Sequence, residues 1–342
     1  MKYRRLGKSG LKVSEIALGS WLTYGTVTER EQSIACVKQA YDLGINHFDC
    51  ANVYGSTPHA AEEVLGQALA PYSRDSYVLT TKAFWPTGSG VNDRGLSRKH
   101  IFTQVEQSLK ALNVDYVDIF YCHRFDPETE LEETLRALED LTAQGKILYA
   151  GLSEWPADKI AQGVQLQREY NLHKFAASQP VYNMFNRYIE SAVIPICDEA
   201  GIGQVVFSPL AQGVLTGKYK KGQPLPSGTR ATTEGVSRFV ERFLNDDILE
   251  KVEKLQGVAQ GLEISLAQLA LAWILRLPSI SSALIGATRP EQVVENVKAS
   301  DVVLTEETLN EIESILFVVC KAFWNPLSRI FKHFWITVHQ GR

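Results

Sequence analysis

Cysteine is sparse and scattered. Cys36, Cys50, Cys122, Cys197 and Cys320 are the only five in 342 residues, and no two form a CxxC pair. An odd, dispersed set argues against a disulfide framework or a zinc site and fits a reducing compartment. Excess charge of one sign is also lacking. A formal charge of −4 gives no support to nucleic-acid binding. No run approaches the ~18 consecutive apolar residues that a membrane span needs. The first residues, MKYRRLGKSGLKVSEIALG, lack the apolar core of a signal peptide. The expectation is a cytoplasmic protein with no metal site. A Gly-rich dinucleotide fingerprint is missing too: none follows an early strand, which counts against an open doubly wound sheet.

What is present is alternation. Eight short β-rich runs recur: 14–20, 47–51, 77–83, 117–123, 149–154, 176–182, 204–210 and 282–287. Amphipathic helical stretches lie between them, one from about Glu29 to before Gly44. The others are 59–70, 98–112, 132–144, 157–170, 188–200, 265–276 and 290–299. Strands alternating with helices imply right-handed βαβ units and a parallel sheet. Eight units point to α/β architecture closed as a (β/α)8 TIM barrel. YRRLGKSGLKVSE at the start has the pattern of a β-hairpin turning at Gly7–Gly10, placed to plug the barrel floor. The stretch from Gly217 to about Asp247 carries Pro224, Pro226 and Gly228 and is expected to be a long functional loop.

In such a barrel, functional residues sit at the C-terminal strand ends. The stretch HFDCANVYG puts Asp49 at the end of the second strand and Tyr54 just beyond it. Lys82 ends the third strand and His123 the fourth. Each alone has a plainer reading, as a helix cap, a solvated charge or a packing residue. Together they make a proton-transfer site. A phenol has a pKa near ~10, and an adjacent ammonium favours phenolate and lowers that value. Lys82 can supply the ammonium and Asp49 its counter-charge. A neutral His123 can hold a carbonyl oxygen near the phenol. The set suits proton donation to an oxygen gaining negative charge. None of these residues donates hydride, so a cofactor must.

These stretches are recognisable. LGxSGLxVSxIxLG, FDxAxxYG, TTK, DYVDIFYCH, GLS, FSPLAQGVLTGKY and LIGATRPEQVVEN resemble the aldo-keto reductase superfamily over about residues 1–315. RGLSRKHI and LTGKY resemble the branch containing β-subunits of voltage-gated potassium channels and their bacterial reductase relatives. The resemblance implies reduction of aldehydes and ketones with NADPH, with Tyr54 as general acid and Asp49, Lys82 and His123 completing a tetrad. It places Ser153 and Gln179 at the nicotinamide amide and Phe207 against the nicotinamide ring. Ser208, Leu210, Gln212 and Gly213 line the pyrophosphate. Lys218 and Arg230 match basic residues on the cofactor's phosphates, with Arg289 a further basic candidate. Thr288, Gln292, Glu295 and Asn296 match adenosine-binding positions. Glu154 departs from the pattern, since many members carry Asn there. A carboxylate can accept from the carboxamide NH2 but cannot donate to its oxygen.

The expected substrate is a small carbonyl compound, with Trp21 and Trp85 lining its pocket; a second copy of the chain is an open partner. Cys50 and Cys122 read as packing. The alternative function is a regulatory or cofactor-sensing subunit with slow catalysis. Channel subunits carry Asn at the position of His123, so a complete tetrad favours an enzyme. The barrel is expected over 1–316. Residues 317–342 form a basic, aromatic tail with six Phe or Trp, four Lys or Arg and no acid, which leaves −8 on the rest. Asn325-Pro326 reads as a helix start, with Leu327, Ile330, Phe331, Phe334, Trp335 and Val338 on one face. Three readings stay open for the tail: packing on the barrel or a second subunit, a helix in a membrane interface, or an extension without a role.

Overall fold

The computed structural model describes residues 1–317; the tail helix expected from Asn325 lies outside the described residues. Two strands, β1 (Tyr3–Arg5) and β2 (Lys12–Ser14), form the antiparallel hairpin. Eight more close a parallel barrel. They are β3 (Ile16–Gly19), β4 (His47–Asp49), β5 (Val78–Ala83) and β6 (Val117–Cys122), then β7 (Ile147–Ser153), β8 (Phe175–Gln179), β9 (Gly203–Val206) and β10 (Ile280–Ile285). Each pairs with the next, and β10 closes on β3 through Ala283–Ile16, Leu284–Ala17 and Ile285–Leu18. All eight barrel strands overlap the β-rich runs of the sequence.

Residue alternation sorts side chains into two cores. On β6, Ile119 and Tyr121 point into the barrel, whereas Phe120 and Cys122 pack against the helices. Cys50 and Cys122 both belong to this outer layer, as expected. The helices around it are α1 (Arg30–Asp42), α2 (Ala60–Leu69), α3 (Arg98–Leu112), α4 (Leu131–Ala143) and α5 (Ala157–Glu169). They continue with α6 (Val193–Ala200), α7 (Asp246–Gly261), α8 (Leu266–Leu275), α9 (Pro290–Val297) and α10 (Glu306–Leu316). None is long and apolar enough by itself to cross a membrane.

The hairpin closes the barrel floor, and the reason is visible in two residues. Arg4 donates to the carbonyls of Leu275, Leu277 and Ile280 at 2.8, 3.1 and 2.8 Å, and its Nε donates to Glu15 at 2.7 Å. Those carbonyls end α8 and begin β10, so one guanidinium satisfies acceptors that the barrel's lower rim leaves open. Gly7 turns the chain at φ +56°, and an added Cβ would lie 2.3 Å from the carbonyl oxygen of Gly201.

Three differences from the sequence reading stand out. The segment after β9 is more ordered than a loop: short 3-10 turns occupy Arg230–Thr232, Ser237–Phe239 and Glu241–Phe243, and α7 starts at Asp246. Neither α7 nor α10 was among the expected helices. Asn245 caps α7 by accepting from Ile248 N–H at 3.0 Å, and Thr305 caps α10. The expected 188–200 helix is also broken, into a 3-10 turn at Tyr188–Glu190 and α6.

Candidate active site

The strand ends bring the four proton-transfer candidates together. Asp49, the last residue of β4, is 3% exposed and its carboxylate is fully engaged. Oδ2 accepts from Lys82 Nζ at 2.6 Å; Oδ1 accepts from Thr80 Oγ1 at 2.6 Å and Gln179 Nε2 at 2.8 Å. Lys82 also donates to the carbonyl of Cys50 at 2.7 Å. Its partners come from β4 and the turn after it, so the fully buried ammonium is anchored on one side only.

Tyr54 stands over that ammonium, with Lys82 Nζ 4.9 Å from its ring centroid. The loop leading to it is tightly bonded. Tyr54 N–H donates to Ala51 O at 3.0 Å, and Tyr54 O accepts from Ala61 N–H at 3.0 Å. Gly55 follows at φ +113°, where a Cβ would meet Ala60 Cβ at 2.7 Å. Only glycine fits between the phenol and α2. His123 continues β6, its N–H donating to Ala83 O at 3.1 Å, and its Nε2 lies 3.5 Å from the Tyr54 hydroxyl. Its buried Nδ1 has no hydrogen-bond partner among the described residues.

Burial controls the protonation of this pair. It raises the Tyr54 phenol well above its ordinary value, and the Asp49 carboxylate adds to that rise. The net direction is therefore opposite to the lowering expected from Lys82: desolvation of a phenolate outweighs the neighbouring cations, of which Arg124 opposes the rise. His123 moves the other way. Burial first, then Lys82 and Arg124, hold it well below the usual imidazole range. At neutral pH the site thus contains a protonated phenol beside a neutral imidazole.

Aromatic rings surround this pair. Trp21 lies 6.5 Å from Tyr54 and 6.0 Å from Phe207, centroid to centroid, and Trp85 lies 6.4 Å from His123. Both tryptophans are therefore at the site. Two further residues escaped the sequence reading. Phe239 reaches Trp21 from the 3-10 segment, with centroids 5.1 Å apart. Arg124 donates to the carbonyl of His123 at 2.5 Å and lies 5.5 Å from the Trp85 ring centre. Phe239 sits in a stretch with no regular period. Arg124 could have been found from its place directly after a strand-end histidine.

The remaining candidates spread around the barrel mouth. Ser153 and Gln179 pair across β7 and β8, with Ser153 Oγ donating to Gln179 O at 2.9 Å. Gln179 spends one amide proton on Asp49, which leaves its carbonyl oxygen and its second amide proton for other partners. Phe207 follows β9. Beyond it the backbone curls: Ser208, Gln212 and Gly213 take φ of +53°, +59° and +95°, and Leu210 O accepts from the N–H groups of Gly213 and Leu215. Gln212 bridges Ser208 Oγ (2.5 Å) and Arg230 Nη1 (2.6 Å). A Cβ on Gly213 would lie 3.0 Å from Lys218 Nζ, so the lysine ammonium packs closely against the glycine. After the neighbouring strand β10, Thr288 N–H donates to Gln292 Oε1 at 2.8 Å at the start of α9, where Arg289 is the N-cap. Glu295 lends its carbonyl to Gln268, and Asn296 is buried.

Glu154 adopts φ +55°. Its Oε1 accepts from Val181 N–H at 2.6 Å and Tyr188 OH at 3.0 Å. The carboxylate thus ties the end of β7 to the loop after β8.

An eight-stranded parallel barrel with these groups at its mouth can be compared with known proteins. The aldo/keto reductase family model matches residues 15–316. The chain belongs to the aldo/keto reductase family. It is 43% identical over 321 residues to a probable voltage-gated potassium channel subunit beta of Oryza sativa subsp. japonica, covering 92% of this chain and 97% of that protein. A protein of the same description from Arabidopsis thaliana gives the same identity and coverage. The L-glyceraldehyde 3-phosphate reductase of Escherichia coli (strain K12) is 40% identical over 304 residues, covering 87% of each chain. Aldo/keto reductases are oxidoreductases that act on small carbonyl compounds and generally use NAD(P)H. This aldo/keto reductase therefore has relatives with two kinds of description, a channel subunit and a reductase.

Proposed function

We propose that this chain is an NADPH-dependent reductase of aldehydes or ketones, in which Tyr54 is the general acid. The observation that carries the reading is the Tyr54 hydroxyl 3.5 Å from His123 Nε2, above a buried Lys82–Asp49 pair. Bound NADPH would supply the hydride. This chain's residues do the rest. A neutral His123 orients the substrate oxygen toward the phenol. Tyr54, kept protonated by burial, transfers its proton as negative charge develops on that oxygen. Lys82 then stabilises the phenolate, and Asp49 holds the ammonium in place.

The basic groups support a phosphorylated cofactor. Lys218 and Arg230 have no carboxylate within ion-pair distance among the described residues. Burial, and then the Arg230 guanidinium, depress Lys218. An exposed Lys218 and a partly buried Arg230 near Gly213 fit an anionic group. Ser208, Leu210, Gln212 and Gly213 would line its approach, with Arg289, Thr288, Gln292, Glu295 and Asn296 at the adenosine end. Ser153, Gln179 and Phe207 would hold the nicotinamide.

A second reading is a cofactor-sensing subunit with slow turnover, favoured by the names of the plant relatives. Following NADPH absorbance with 4-nitrobenzaldehyde and methylglyoxal separates the two. The reductase reading expects turnover by the native protein and a loss of about 10²- to 10⁴-fold in Tyr54→Phe, with NADPH binding retained. Tight NADPH binding with no turnover by either protein would favour the sensing subunit.

A further inference from the structure

We infer that Arg124 is an anion receptor for the substrate, so that the preferred substrates are small aldehydes or ketones bearing a phosphate or carboxylate. This deepens the reductase reading and rests on it. Arg124 directly follows His123 at the end of β6. Its Nη1 is held by the His123 carbonyl at 2.5 Å, and its guanidinium carbon lies 5.5 Å from the Trp85 ring centre. Trp85 is 6.4 Å from the His123 ring, which is 5.7 Å from the Tyr54 ring. The cation therefore belongs to the same wall as the proton-transfer pair.

Its charge is uncompensated. Arg4, Arg74, Arg98, Arg136, Arg187 and Arg276 each pair with a carboxylate. Arg124 has no carboxylate within 4 Å among the described residues. The carboxylates nearest in sequence or site are turned to other donors. Asp126 accepts from Leu96 N–H, Glu128 N–H and Thr129 Oγ1 at 2.7, 3.0 and 2.8 Å. Glu154 Oε1 accepts from Val181 N–H and Tyr188 OH, and Glu154 does not reach Arg124 within 4 Å. A partly buried guanidinium fixed by one backbone bond and one aromatic face keeps the other edge of its fork for a ligand. Arginine binds phosphate and carboxylate through paired N–H groups. The plainer account is that Arg124 only braces the His123 backbone and covers Trp85.

Matched substrates separate the two accounts. Glyceraldehyde 3-phosphate is compared with glyceraldehyde, and succinic semialdehyde with butyraldehyde, in native protein, Arg124→Gln and Arg124→Lys. The native protein should favour at least one anionic member by about tenfold or more in kcat/KM. Which pair shows the preference identifies phosphate or carboxylate. Arg124→Gln should bring that ratio close to one, mainly through KM, and Arg124→Lys should keep part of it. A native protein with no preference, or an unchanged ratio in Arg124→Gln, overturns the proposal. Calorimetry with glycerol 3-phosphate, succinate and glycerol, on the full chain with NADP+, is independent of turnover. Binding of either anion that weakens at least tenfold in Arg124→Gln, in a protein that reduces no aldehyde, would sink the reductase reading and leave the anion site standing. Reduction of both members of each pair without dependence on Arg124 would do the reverse.

Discussion

Lys82 Nζ lies 2.6 Å from Asp49 Oδ2, and their side chains are 0% and 4% exposed. Two opposite charges removed from water this completely gain little net stability from each other, because desolvation offsets their attraction. What the pair achieves is placement: Asp49 takes three donors, and the ammonium is left under the Tyr54 ring. Removing one partner strands the other. Asp49→Asn should lower unfolding stability by about 3 kcal/mol or more, and the double variant Asp49→Asn/Lys82→Met should recover much of that loss. Urea denaturation across the cycle checks this. Additive losses would show that the two side chains are not energetically coupled.

Most of this fold was legible, because its strands are short apolar runs separated by periodic helices. The four proton-transfer residues were legible for a related reason. A barrel turns strand ends into neighbours, so Asp49, Lys82 and His123 converge although 74 positions separate the outer two. The chain's misses have local causes. Helices α7 and α10 were overlooked although both carry caps, Asn245 before two aspartates and Thr305 before two glutamates. The loop signals around Pro224 and Pro226 ran over the first of these. Phe239 could not be placed, because a contact between rings on separate loops leaves no period in the sequence, whereas Arg124 was passed over although it directly follows a strand-end histidine. The Tyr54 direction was missed because charge can be read from residue types, whereas burial cannot.

Acid sensitivity should come from buried histidines. His47, on β4 inside the barrel, is pushed down to about 4 by burial, and both ring nitrogens lack partners among the described residues. Between pH 6.5 and 4 the unfolded chain takes up a proton there that the folded chain refuses. Stability therefore falls as pH drops through this window, by about 3 kcal/mol from this group alone. His123 adds in the same direction. Chemical denaturation between pH 7 and 4 should show a shallower slope in His47→Gln than in the native protein. An identical slope would assign the sensitivity to other groups.

The same directions bear on catalysis. With Tyr54 raised above 10 and His123 lowered below 6.5, neither group changes protonation in the neutral range. A plot of kcat/KM against pH should be flat from about 6.5 to 9. A descending limb centred near 8 would mean that the phenol ionises in the free enzyme despite its burial.

Gly151 offers a purely steric test. An added Cβ would sit 2.6 Å from two carbons of the Tyr121 ring and 3.1 Å from the carbonyl of Ala177. Tyr121 lies inside the barrel with its ring centre 5.9 Å from Lys82 Nζ. Gly151→Ala must move that ring toward the floor or toward the ammonium. Stability should fall by about 1 to 3 kcal/mol. Turnover should fall as well, since the ring borders Lys82. Tm and kinetics on the same preparation check both parts; a loss of NADPH affinity alone would place the disturbance elsewhere.

Cofactor choice should depend on Lys218 and Arg230. Desolvation lowers both groups from their ordinary values, and a nearby anion would oppose that lowering. Arg230 spends Nη1 on the Gln212 carbonyl at 2.6 Å, which fixes the plane of its fork and leaves the far edge free. A phosphate on the ribose 2′-oxygen, present in NADPH and absent from NADH, is the group that such an edge could distinguish. The double variant Lys218→Ala/Arg230→Ala should raise KM for NADPH by roughly 10- to 100-fold and that for NADH much less. Because both cations are uncompensated in the free protein, the same variant should gain rather than lose thermal stability when no cofactor is present. Equal changes in KM for the two cofactors would mean that the cations serve the shared pyrophosphate. A fall in Tm would mean that they already have a counter-charge in the fold.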